Sequence, residues 1–157
     1  MSESILYQAH VRLERVQGHV RRAHLPAETQ PILFGVHDEL AAYFHADVTE
    51  QEAHADPLDY LVAATGSSLI GTFGSALEAR KIPAGEGKLS ATVVGDVVLK
   101  DKVLVLDRIH VTYHLKLERD QRATARRVHS FHMRYCPLAR TLEESVEITT
   151  TLETENL

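Results

Sequence analysis

An α+β fold, with mostly antiparallel sheets gathered around one long buried helix, follows from three features of the sequence. From Tyr60 to Leu77 there is an uncharged run long enough for a five-turn helix. Segments 88–99 and 103–117 are rich in β-branched residues, alternate in polarity and are separated only by Lys100-Asp101-Lys102, so they read as a hairpin. Strands come three before the long helix and two directly after it, rather than one per helix. That order argues against a doubly wound parallel sheet.

The long helix opens on Asp56-Pro57, a capping residue followed by proline at the first helical position. Leu58, Leu61, Val62, Leu69, Phe73 and Leu77 recur at spacings of three and four. A second row, Ala63, Ser67, Gly71 and Ser75, is made of small residues four apart. Such a row lets another backbone approach closely, so a buried packing helix is expected. A membrane span is the competing reading, but Thr65, Ser67, Ser68, Thr72 and Ser75 dilute a run that is already short of the roughly 20 apolar residues required.

Before the helix, residues 5–16 alternate and read as a half-buried strand, Gln17-Gly18 as a turn, and residues 19–25 as the returning strand. Arg12, Arg15, Arg21 and Arg22 lie on this hairpin, where most are expected to be solvated. Residues 32–36 read as a third strand. Residues 37–45 fit either helix or strand, and the polar stretch 46–55 reads as a surface connection. After the second hairpin, residues 118–135 read as an amphipathic helix anchored by Val128 and Phe131, and Cys136-Pro137 ends it. A helical turn at 138–143 and a strand at 146–152 follow, and the acidic tail is expected to fray.

At 157 residues the chain is read as one domain, 1–157. A formal charge of −5 argues against a nucleic-acid partner. The lone cysteine, Cys136, excludes an intramolecular disulfide and fits a reducing compartment. The N-terminal stretch has no hydrophobic signal core, so a cytoplasmic protein without a membrane partner is expected.

Two stretches carry a resemblance when taken together. Residues 56–68, DPLDYLVAATGSS, resemble the P-x-x-L-L-x-A-A-x-G-x-C start of the long helix in the OsmC/Ohr family, the osmotically inducible and organic hydroperoxide resistance proteins. Residues 135–142, YCPLARTL, resemble that family's C-P-x-S-x-x-L motif. Element order and the spacing between motifs fit over nearly the whole chain. The resemblance implies an intertwined homodimer with sites near the subunit interface. In its peroxidase members a helix cysteine attacks the hydroperoxide and the C-P cysteine resolves the product as a disulfide. A glutamate following the helix-opening proline and an arginine from the first hairpin hold the reactive thiolate.

Here the attacking position is Ser68 and the glutamate position is Leu58, with Asp59 next to it. Arg15, Arg21 and Arg22 are all candidates for the hairpin arginine; only the resolving cysteine, Cys136, is kept. A thiolate is the nucleophile of peroxide reduction, and its sulfenic product must be captured by a second thiol. A serine hydroxyl cannot replace it. Cys136 is expected at a helix C-terminus, where the macrodipole disfavours a thiolate, with Arg134, Arg140 and His132 nearby as an offset. His129, His132 and Cys136 share a helix face and His110 and His114 a strand face. Ten histidines make such coincidences common, and neither metal nor cofactor is expected.

The resulting expectation is an OsmC-like homodimer without two-cysteine peroxidase chemistry. Ser68 and Cys136 mark its site, Arg15, Arg21 and Asp59 are pocket candidates, and a small apolar or thiol-containing ligand is bound between subunits. The alternative is a one-cysteine organic hydroperoxide reductase using Cys136. A purely structural or partner-binding role is the third reading.

Overall fold

The computed structural model describes residues 3–50 and 52–157, which form two compact units divided after Tyr60. Residue 51, within the polar connection at 46–55, and residues 1–2 of the N-terminal stretch lie outside the described residues.

The first unit holds an antiparallel meander of β1 (Arg12–Gln17), β2 (Val20–His24) and β3 (Ile32–Phe34). Gly18, at φ 54°, makes the first turn, a left-handed conformation that glycine adopts without strain. The first strand is shorter than its alternation suggests: residues 5–11 carry no regular structure, and every residue of β1 is exposed. Pairing limits it. β2 has only five residues and pairing ends at Arg12↔His24, so among the described residues no strand of this unit pairs with the backbone further upstream. The ambiguous segment 37–45 contains a short helix, α1 (Asp38–Tyr43).

The long helix is α2 (Pro57–Glu78). It starts where expected, with the Leu58 amide donating to Asp56 Oδ1 at 2.8 Å. In the second unit α2 lies against a sheet ordered β4-β5-β6, built from β4 (Leu89–Lys100), β5 (Val103–Leu117) and β6 (Glu147–Asn156). β4 and β5 form the expected hairpin, with a bulge between Asp96 and Val97. β6 instead runs parallel to β5, which requires a crossover; α3 (Arg122–His132) and α4 (Pro137–Leu142) supply it. The acidic tail is part of this strand: Glu153 to Asn156 pair with His114 to Leu117.

Side chains alternate across β5, and Ile109, Val111, Tyr113, Leu115 and Leu117 are all buried on its inner face. From α2 they meet Leu69, Phe73 and Leu77, also fully buried. The row of small residues does not share that burial. Ala63, Ser67, Gly71 and Ser75 are exposed, because the bulky row at 69, 73 and 77 takes the inner face and the small row lies on the opposite side of the helix. By length and composition alone α2 is apolar enough to cross a membrane, but its bulky row is covered here by the sheet.

Close approach between helix and sheet depends on glycines from both. A Cβ on Gly66 would lie 2.5 Å from Val93 Cγ2, and one on Gly95 would overlap Val62 Cγ2. The helix predicted over 118–135 is broken into three pieces. A 3-10 turn at Arg119–Gln121, capped reciprocally by Glu118 and Gln121, leads into α3, and a second 3-10 turn at Met133–Tyr135 follows it. Buried anchors of α3 are Ala125, Val128 and His132, while Phe131 is only partly covered.

Adding a methyl at Gly66 should therefore force helix and sheet apart. Gly66→Ala is expected to lower stability in urea unfolding by ~1–3 kcal/mol. Combining it with Val93→Ala should recover part of that loss, a coupling between touching residues that distant sites do not show. Unchanged stability in the single variant would contradict the packing.

Candidate functional site

Ser68 and Cys136, 68 positions apart in sequence, are brought together: Ser68 Oγ lies 3.2 Å from Cys136 Sγ. Ser68 stands on α2 one residue before the buried Leu69, and so at the edge of the packed face, half-exposed. Cys136 is fully buried. Its extended backbone, enforced by Pro137, turns the chain from the second 3-10 turn into α4.

This corrects the electrostatic expectation. Cys136 is not at the C-terminal end of α3, which stops at His132; it is the N-cap of α4, and the Ala139 amide donates to its sulfur at 3.5 Å. An N-cap faces orphan N–H groups, which favour negative charge, the reverse of the C-terminal field, though α4 has only six residues to contribute. Of the cations expected beside the sulfur, Arg140 pairs with Glu143 at 3.6 Å and His132 is held elsewhere.

Behind the pair is a buried polar cluster. The Tyr113 hydroxyl lies 2.8 Å from His132 Nε2, and His132 Nδ1 lies 2.7 Å from the His129 carbonyl. A carbonyl oxygen only accepts, so His132 carries its proton on Nδ1, and in the neutral ring Nε2 accepts from Tyr113. Thr150 Oγ1 meets His129 Nε2 at 3.0 Å. Phe73 packs its ring against Tyr113, His132 and His129, with centroids 4.6, 4.9 and 5.8 Å away. Burial pushes both histidines below the usual imidazole value. It raises the Tyr113 phenol well above its ordinary value, and the nearby Cys136 thiol adds to that rise.

The metal-like spacing of His129, His132 and Cys136 is thus filled by other bonds. Among the described residues no three His, Cys, Asp or Glu side chains are grouped to hold a metal ion. On the opposite, outward face of the sheet, His110 bonds Thr149 and Thr151, and His114 meets Thr92 and Glu153.

The three pocket candidates in the first unit are held by local bonds. Arg15 donates to the Gly18 carbonyl, closing its own turn, and Arg21 reaches the Gly35 carbonyl at 3.5 Å. Arg22 faces Glu14, as does Arg12. Asp59 Oδ2 accepts from the Asp56 amide at 2.7 Å and lies 2.6 Å from His37 Nε2, while His37 Nδ1 meets Asp38. Both His37 nitrogens face carboxylate oxygens, so both donate, and the pairing raises its pKa.

Sequence reasoning did not single out Tyr113 or Phe73 as neighbours of this site. Strand alternation marks Tyr113 as inward, beside Val111 and Leu115, but nothing in the spacing pairs it with His132.

A long helix laid on a three-stranded sheet, with its Ser68 facing a capping cysteine, defines an α+β protein whose site pairs a hydroxyl with a buried thiol. Residues 49–151, well over half the chain, match the model of the OsmC-like protein family, and the chain belongs to that family. No curated protein matches it in sequence. Among solved structures it is similar to the OsmC-like protein of Mycoplasma pneumoniae, with a TM-score of 0.72, 14% identity, and 96% of this chain and 99% of that one covered. An OsmC-like protein of unknown function from Vibrio cholerae O1 gives a TM-score of 0.75 at 12% identity, covering 94% and 100% of the two chains. The organic hydroperoxide resistance protein OhrB of Bacillus subtilis gives 0.65 at 14%, covering 95% and 100%. At these identities the likeness is one of fold.

Proposed function

We propose that this protein is a homodimeric OsmC-family member without two-cysteine peroxidase chemistry, which binds a small apolar or thiol-containing ligand beside Ser68 and Cys136. One observation carries the reading: a hydroxyl, Ser68 Oγ, stands 3.2 Å from the only thiol in the chain. The pair has the reach of a reacting couple, but only one member can be oxidised through sulfenic acid and none can close an intramolecular disulfide. Burial of Cys136 also weighs against a one-cysteine cycle, since a thiol that reduces peroxides must be met by them. The hydroperoxide-resistance context comes from relatives such as the Bacillus subtilis protein. A cytoplasmic location without nucleic-acid or membrane partners remains the expectation from composition.

Two exposed features support a dimer. The outer row of α2, Ala63, Ser67, Gly71 and Ser75, has the small side chains that let helices meet closely, and nothing lies within 4 Å of a Cβ placed on Gly71. The N-terminal Ile5, Leu6, Leu13 and Val16 are apolar and uncovered. The chain is expected to sediment as a dimer and Gly71→Leu as a monomer or weakened dimer. A wild-type monomer at micromolar concentration would overturn this part.

Function is tested with cumene hydroperoxide and dihydrolipoamide. The expected result is no peroxide consumption above buffer, together with a rise in melting temperature on adding cumyl alcohol or dihydrolipoamide. Turnover abolished by Cys136→Ser would replace this reading with the one-cysteine reductase. Absence of both turnover and thermal shift would remove the ligand.

A further inference from the structure

We propose that His132 is an acid-sensitive clasp that keeps Cys136 covered, holding the end of α3 to β5 through Tyr113 and releasing the chain segment that carries the cysteine when the imidazole takes up a proton. The proposal concerns access to Cys136 and holds whichever chemistry or ligand the site serves.

Cys136 has no exposed surface, so any reagent reaches it only after the covering structure moves. The segment best placed to move is the one it belongs to. α3 ends at His132, a single 3-10 turn covers Met133–Tyr135, and Cys136 follows. Within that stretch Arg134 and Tyr135 are exposed and Met133 is half-buried, leaving His132 as the one fully buried side chain between Val128 and Cys136. Its ring is tied at both nitrogens, to Tyr113 on β5 and to the His129 carbonyl on its own helix, and is packed on Phe73 of α2.

Those bonds require the neutral ring. With Nδ1–H committed to a carbonyl, Nε2 must accept, and Tyr113 donates to it. A second proton on Nε2 places a donor against a donor, and the phenol must turn away or accept instead. Nothing charged offsets the cation. From β5 the facing group is the Tyr113 phenol, from α3 itself the half-buried His129, and from α2 the Phe73 ring. Among the described residues no carboxylate pairs with either ring. Contrast His37, whose two nitrogens are both met by carboxylates and which therefore favours its charged form.

The direction follows. Burial lowers the pKa of folded His132, so the closed form is fully favoured above the unfolded value near 6.5 and loses that advantage as pH falls below it. An opened segment that frees the ring regains the ordinary imidazole pKa. Between about pH 7.5 and 5.5 its population rises by up to about tenfold from this one group, since one pH unit below the free pKa is one factor of ten.

The test is the rate at which Cys136 reacts with a dithiodipyridine between those pH values, divided at each pH by the rate of glutathione to cancel intrinsic thiol ionisation. The ratio should climb toward acid in the wild type, by up to about tenfold, and stay flat in His132→Gln, whose neutral amide can still meet Tyr113. A flat wild-type ratio, or the same climb in His132→Gln, would overturn the proposal. Should that variant fail to fold, nitrogen-detected imidazole NMR of the wild type at neutral pH decides. The Nδ1–H tautomer supports the clasp, and an Nε2–H tautomer or a charged ring refutes it.

Discussion

Close contact between α2 and the sheet at two glycines governs the second unit. Gly66 leaves room for Val93 and Gly95 leaves room for Val62, so the helix sits lower on the strands than side chains at either position would permit. That depth lets Leu69, Phe73 and Leu77 reach the inner face of β5, where Ile109, Val111 and Tyr113 wait in alternation. It also sets which way the rest of the helix points: the bulky row turns inward, the small row outward, and Ser68 stands at the border. The Ser68–Cys136 geometry is therefore a by-product of packing. A serine at the margin of a buried helix face meets a cysteine that Pro137 has bent into the N-cap of α4.

Much of this was readable in the residues. The Asp56-Pro57 start, the 88–117 hairpin and the Cys136-Pro137 break all rest on short-range rules of capping, alternation and proline geometry, and each falls where those rules put it. What failed depended on partners distant in sequence. Residues 5–11 alternate like a strand, yet β2 is too short to bind them. The tail at 153–157 looks like fraying chain, yet most of it pairs in parallel with β5. The small row on α2 resembles a buried contact but faces outward, because the bulky row at 69, 73 and 77 takes the face toward the sheet and Gly66 is the small residue of α2 that admits it. The field at Cys136 likewise has the opposite polarity to that expected at a helix C-terminus, because the cysteine is the N-cap of α4. The helical turn read at 138–143 is α4 to within a residue, but that Cys136 caps its start is fixed by the Ala139 amide meeting its sulfur.

The hydroxyl of Ser68 limits what the pair can do. A hydroxyl and a thiol at 3.2 Å make one weak hydrogen bond, and no oxidation state of serine closes the cycle that two sulfurs would run. Around it the core is unusually polar for so buried a place: a phenol, two imidazoles and a thiol, satisfied by one another and by backbone. Such groups are costly to bury unless every hydrogen bond is made, so the cluster fixes one arrangement of the 129–136 segment. It also makes that arrangement conditional on neutral imidazole.

If the pair has kept the spacing of a two-thiol site and lost only one sulfur, restoring that sulfur should restore the bond. Ser68→Cys, treated with one equivalent of hydrogen peroxide and analysed by intact mass and peptide mapping under non-reducing conditions, is expected to lose two hydrogens and link position 68 to Cys136 within one chain. Persistence of two free thiols, or a link only between chains, would contradict the account and show that Ser68 and Cys136 are neighbours by packing alone.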